Sequence, residues 1–221
     1  MSSFGGRDIR RLILVPALLT LAVTLLRLVG ELSGWSSRFF STEAGGGGAI
    51  VGIAWLPPIF GIYFGLRLRK AGFEPTSAGR IALFALLGFL TMFALVAVVS
   101  AAGVPHPFNF ILLALGGALG LVVAMRGWPV LGRTLALYGF AARLPVVVIM
   151  FFAIMGRWGT HYDAPPPDFP EGTGPLAEFV LTGLLPQFTV WIAYTVVTGA
   201  LFAALALKVA ARRRTPSSVD D

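Results

Sequence analysis

Six stretches of this chain are apolar over a length that suits a bilayer, at about 12 to 32, 49 to 68, 80 to 102, 108 to 125, 131 to 155 and 176 to 207. A transmembrane helix needs roughly 20 mainly apolar residues, so the pattern predicts an all-α integral membrane protein, a compact bundle of six transmembrane helices. Segments of about ten residues with alternating polarity, which a membrane β-barrel requires, do not occur. The polar positions collect in short connections. No soluble domain is expected: residues 1–11 read as an N-terminal segment, 12–207 as the transmembrane domain and 208–221 as a basic tail. Gly/Pro interruptions mark breaks inside the apolar runs, at Pro57 and Pro58, at Pro145 and at Pro186.

Small residues recur four apart at Gly48/Gly52, Gly61/Gly65, Gly116/Gly120, Gly132/Ala136 and Gly199/Ala203. Such positions let helix backbones approach closely where no hydrophobic effect drives association. They predict internal packing first and a homo-oligomer or membrane-protein partner second. The first run, preceded by Arg7, Arg10 and Arg11, imitates a signal peptide, but its length, Arg27 and the lack of a small-x-small site favour a retained helix. "WLPPIFGIYF" and "RLPVVVIMFF" share a Leu-Pro and a following Phe at matching places, a thin sign of an inverted repeat.

Charge orients the runs. Of 17 basic residues, thirteen lie at the N-terminal segment, the second and fourth connections and the tail; Arg38 and Arg157 alone lie in the first and fifth connections. This asymmetry places both termini in the cytoplasm. Glu31, Glu43, Asp163, Asp168, Glu171 and Glu178 fall at or beyond the opposite ends. The pI of about 10.8 is therefore a signature of topology and of contact with anionic lipid headgroups, and nucleic acid is not an expected partner. A mean hydropathy of +0.84 exceeds what a soluble domain of 221 residues can bury. Fifteen Arg against two Lys suggest a GC-rich, bacterial source and hence the inner membrane.

Two basic residues remain inside the spans, Arg27 and Arg143. A central Arg costs about 2.5 to 3.5 kcal/mol on an insertion scale, whereas the eleven Leu, Ile, Val and Phe residues from Leu135 to Ile154 return on the order of 3 to 7 kcal/mol. The helix inserts despite the charge, with Arg143 near mid-depth. A permanently charged fork of five donors needs carbonyls, carboxylates or water. The prolines of the second run are expected to free the carbonyls of Ile53 and Ala54 there, and Pro145 that of Ala141. Arg143 then either locks the bundle or lines a hydrated pocket for an anionic substrate or headgroup.

Arg27 and Glu31, one turn apart, are expected to pair; Glu178 is a second candidate partner for Arg27 across the outer vestibule. Gln187, just after Pro186, sits either at the outer interface or deeper. Arg143, Gln187, Arg27, Glu31 and Glu178 are thus the candidate substrate-binding residues, and no catalytic residue is assigned. His161, Asp163 and His106 are the residues from which an outer metal site would be drawn, but "HYD" is a weak signal; no metal or cofactor is expected. A Ser-His-Asp arrangement is disfavoured and no Walker A or HExxH occurs. Trp35, Trp55, Trp128 and Trp158 read as interfacial anchors. The chain is read as a carrier or receptor for a small anionic or amphiphilic solute. A structural subunit of a membrane complex is the alternative, and a lipid-modifying intramembrane enzyme the third reading.

Overall fold

The computed structural model describes residues 6–46, 49–167 and 169–212; Gly48, Asp168 and the tail arginines Arg213 and Arg214 lie outside the described residues. Among the described residues the chain is helical, with no strand. The chain contains α1 (Gly6–Leu32), α2 (Leu56–Lys70), α3 (Ala78–Ala101), α4 (Phe108–Met125) and α5 (Pro129–Gly156). A final helical run follows, built from α6 (Pro175–Glu178), a π-helical turn (Phe179–Leu184), α7 (Leu185–Phe188) and α8 (Val190–Arg212). Among the described residues five helices are long and apolar enough to cross a membrane: α1, α3, α4, α5 and the Pro175–Arg212 run.

The second apolar stretch, in which a break at Pro57 and Pro58 is expected, is irregular before these prolines and helical from Leu56 on. Residues 49–55 form no regular helix and α2 has only 15 residues, about 22 Å at 1.5 Å per residue against a hydrocarbon thickness of about 30 Å. The cause is local. Pro57 and Pro58 occupy the first positions of the helix, where the missing amide costs nothing because those donors have no intrahelical partner. One turn further into the helix their rings would clash with the carbonyls four residues back.

The final run is also broken, again at a proline. The Leu185 amide reaches back five residues to the Val180 carbonyl, a wide turn that relieves the clash between the Pro186 ring and the preceding turn. Thr189 leaves regular helix geometry at φ −115°, ψ −74°, and α8 then continues unbroken. Pro145, by contrast, is accommodated inside a continuous α5.

α5 and the final run form the centre. In each, 56% of the most apolar window is buried, against 22% in α1 and α3, whose Leu18, Leu25, Leu86 and Leu90 point outward. Tyr138 of α5 is nearly inaccessible, set against Phe60 and Phe64 of α2 with ring centroids 5.2 and 5.6 Å away. Its hydroxyl meets Thr20 Oγ1 of α1 at 2.8 Å.

Glycine sets the closest crossing. A Cβ on Gly61 of α2 would collide with the Gly199 carbonyl of α8, and one on Gly65 would lie 2.8 Å from the Ala203 Cβ. The small-residue stripes of the second and sixth runs therefore face each other. On the other side, a Cβ on Gly88 of α3 would lie 2.6 Å from the Gly120 carbonyl of α4. Both contacts are internal, the use expected first for these stripes.

Trp128 corrects the anchor reading. It is 6% exposed and packed in the core beside Leu131 and Ile81, whereas Trp35, Trp55 and Trp158 are exposed.

Candidate functional site

A cavity of about 190 Å³ opens between α1, the irregular 49–55 segment, α5 and the broken final run. Arg143, Gln187 and Trp191 form its polar floor; Arg27 and His161 stand higher on the wall, and Gly45, Ala49, Ala164 and Pro166 of the first and fifth connections border it. The proline breaks create the room. A regular second span would fill the space now lined by Gly52, Ile53, Ala54 and Trp55.

Arg143 lies near the middle of α5 and is 5% exposed. Its Nη1 donates to Gln187 Oε1 at 3.2 Å, and its guanidinium lies over the Trp191 ring, Cζ 4.5 Å from the centroid. Gln187 and Trp191 are four residues apart and so share a face, which is how one run holds the fork both in plane and from above. Gln187 is itself turned by a contact from Nε2 to Met150 Sδ at 3.6 Å. No ion pair joins Arg143 to a carboxylate among the described residues. Arg143 is among the residues that line the cavity.

The carbonyls expected to receive that fork are nearby but otherwise engaged. The Ala54 carbonyl accepts from Tyr194 Oη at 3.0 Å, and the Ile53 carbonyl accepts from the Leu56 amide at 3.3 Å. Arg143 and the proline break thus share one cavity, as expected, without being bonded to each other.

A second polar assembly closes the upper end. Arg27 Nε donates to Glu31 Oε1 at 2.7 Å and its Nη2 to the Ser41 carbonyl at 3.0 Å. Glu31 also receives the His161 amide at 2.9 Å and meets His161 Nδ1 at 2.6 Å. The expected one-turn pair is therefore present and is tied to the fifth connection. Burial outweighs Glu31's attraction and, with the Arg27 cation beside it, holds the His161 imidazole below its ordinary range. Arg27 already balances Glu31, so His161 is a neutral donor at pH 7. Tyr162, next along, donates to the Thr24 carbonyl at 3.3 Å, and burial pushes its phenol up.

Glu178 pairs with Arg157, not with Arg27. The contact is two-pronged, at 3.0 and 2.9 Å. Arg157 holds the left-handed backbone at the end of α5, with φ 49°, a conformation that favours glycine. Asp163 accepts from the Gly159 and Thr160 amides and from Thr160 Oγ1. His161 is thus committed to Glu31 and Asp163 to its own turn, while His106 packs against Phe110 and Phe169. The three are not gathered, and no cluster of metal-ligating side chains occurs among the described residues.

Sequence reasoning found Arg143, Gln187 and the Arg27–Glu31 pair but missed Trp191, Tyr194 and the link from Glu31 to His161. The four-residue spacing of Gln187 and Trp191 was a usable signal for the first; the other two contacts span 140 and 130 residues. No family model matches the chain, and comparison with curated proteins and with solved structures likewise gives no match.

Proposed function

We propose that the chain is a polytopic inner-membrane protein whose cavity binds a small anionic or amphiphilic solute, as the binding site of a carrier or receptor. The observation that carries this reading is Arg143. A buried guanidinium that lines a cavity, with no carboxylate partner among the described residues, is an anion site in electrostatic terms. The irregular 49–55 segment and shortened α2 support it, since broken helices facing a cavity at mid-depth are how many transporters present ligand sites. The end of α2 beside the cavity adds its positive dipole field. With Pro57 and Pro58 there, the donors themselves must come from Arg143.

In this reading the 49–70 segment completes a sixth crossing, irregular in its first part and helical from Leu56, and both termini are cytoplasmic. Reporter fusions after Arg69 and at the C-terminus then report the cytoplasm, and a fusion after Pro167 the outside; a cytoplasmic Pro167 fusion contradicts the topology. The structural-subunit reading is weakened because the Gly61, Gly199, Gly88 and Gly120 surfaces are occupied within the chain.

The test is thermal melting of the detergent-solubilised protein with sodium acetate, benzoate, phosphate or sulfate at matched ionic strength. A ligand at 100 times its Kd stabilises by about 2.7 kcal/mol. At least one anion should raise the melting temperature of the wild type and of Arg143→Lys in part, and leave Arg143→Met unmoved. Equal responses of wild type and Arg143→Met to every anion refute the proposal.

A further inference from the structure

Resting on the anion-site reading, we propose that the cavity selects a monoanion with a flat apolar body, such as an aromatic monocarboxylate, admitted from the side of the first and fifth connections.

Charge sets the valence. The lining groups that can carry positive charge are Arg27, Arg143 and His161; Tyr162 also lines the cavity, with its phenol pushed up by burial. Arg27 is balanced by Glu31, and His161 is held neutral by its burial. Asp163 is fixed on the donors of its own turn, and Glu178 is matched by Arg157. Among the described residues lining the cavity, one positive charge is left without a carboxylate partner, at Arg143. A second negative charge on the ligand would lie in a water-poor site beside the Glu31 assembly with nothing to balance it. The fork geometry of guanidinium suits the two oxygens of a carboxylate.

Shape sets the body. Beyond the Arg143–Trp191 stack, the wall includes Trp55, Ile53, Val146, Met150 and Val23, one indole and four aliphatic side chains. An apolar cavity of about 150 Å³ is enough for benzene, so about 190 Å³ admits one ring and a carboxylate but not an acyl chain. Rings stack favourably on indole faces and bury area there.

Position sets the source. Gly45, Ala49, Ala164 and Pro166 belong to connections and not to the long lipid-facing helices. The mouth therefore opens under the polar rim, toward water. A soluble acid fits this entrance; a lipid headgroup would have to drag its chains through it.

The experiment is isothermal titration of the full-length protein in detergent with benzoate, acetate, phthalate and lysophosphatidylglycerol, repeated on Arg143→Met and Trp55→Ala. Benzoate should bind at least about tenfold more tightly than acetate and than the dianion phthalate, a gap of about 1.4 kcal/mol, and should not be displaced by the lysolipid. Arg143→Met should lose benzoate binding. Trp55 is half exposed, so its truncation spares the fold and should narrow the preference for benzoate over acetate. Acetate binding as tightly as benzoate, tighter phthalate, or displacement by lysolipid overturns the inference while Arg143-dependent binding keeps the anion site. Absence of Arg143-dependent binding by any of the four ligands, with no stabilising anion in the melting test, overturns both.

Discussion

Glu31→Gln isolates the energetic role of the assembly that ties α1 to the fifth connection. The substitution keeps the side-chain shape and one acceptor oxygen, but removes the charge that balances Arg27. The Glu31 side chain is fully buried and that of Arg27 is 7% exposed, so solvent does little to screen the loss. Removing one partner of a buried pair costs about 3 to 5 kcal/mol, chiefly because a charge is left unbalanced. Gln retains a weaker bond to the His161 amide, which favours the lower end of that range. For a chain of this length about 3 kcal/mol corresponds to a fall of about 6 to 12 °C in melting temperature. The double variant Arg27→Met/Glu31→Gln removes the stranded cation and should recover at least about 1.5 kcal/mol of the loss relative to additivity. Thermal melting of the three variants and wild type in one detergent measures the cycle. A single variant that melts within about 1 °C of wild type, or a double variant whose loss equals the sum of the singles, refutes the account of a buried, mutually dependent pair.

Other consequences follow from separate parts of the structure. Gly61→Ala places a methyl group against the Gly199 carbonyl and should destabilise by about 1 to 3 kcal/mol, whereas Gly79→Ala, whose Cβ would meet only Ser77 Oγ at 3.9 Å, should be neutral in the same melting assay. His161 is held below its ordinary range by burial, with Arg27 adding to the effect and Glu31 and Asp163 opposing it. The unfolded chain therefore takes up a proton before the folded one does, and stability should fall as pH drops from about 7 toward 5.5, by at most about 1.4 kcal/mol per pH unit from this group. His161→Asn should flatten that part of the profile; a wild-type melting temperature that rises on acidification over the same range contradicts the sign. Tyr194→Phe leaves the Ala54 carbonyl without its 3.0 Å donor and should cost about 1 kcal/mol, measurable by the same melting.

The helical class and the positions of α1, α3, α4 and α5 were legible because they rest on composition over some 20 residues. In the second run a break was legible from the adjacent prolines but its extent was not, because apolar content is the same in a helix and in an irregular segment that lines a cavity. Only the prolines distinguished them, and they marked where the helix starts and not a kink within it. Arg143 was legible as an anomaly, since a cation in an apolar run is visible by itself, and Gln187 followed because it was polar and near a break. Its engagement depended on the π-helical turn, whose register shift no local propensity announces. Trp128 was misjudged because a tryptophan near a helix end looks alike whether it faces lipid or the neighbouring helix. The Glu178–Arg157 pair was missed for a related reason: which of two cations a carboxylate meets is decided by how the outer ends are brought together, and the left-handed turn at Arg157 sets that.

The central claim is that an anion can occupy the space in front of Arg143. Crystals of the protein soaked in bromide and measured at the bromine absorption edge test this without assuming the natural ligand. The account predicts an anomalous peak in hydrogen-bonding reach of the Arg143 guanidinium, on the cavity side opposite Gln187, and its loss in Arg143→Met crystals. Bromide found only at the exposed basic rim, with the Arg143 donors closed off by protein carbonyls, would contradict it.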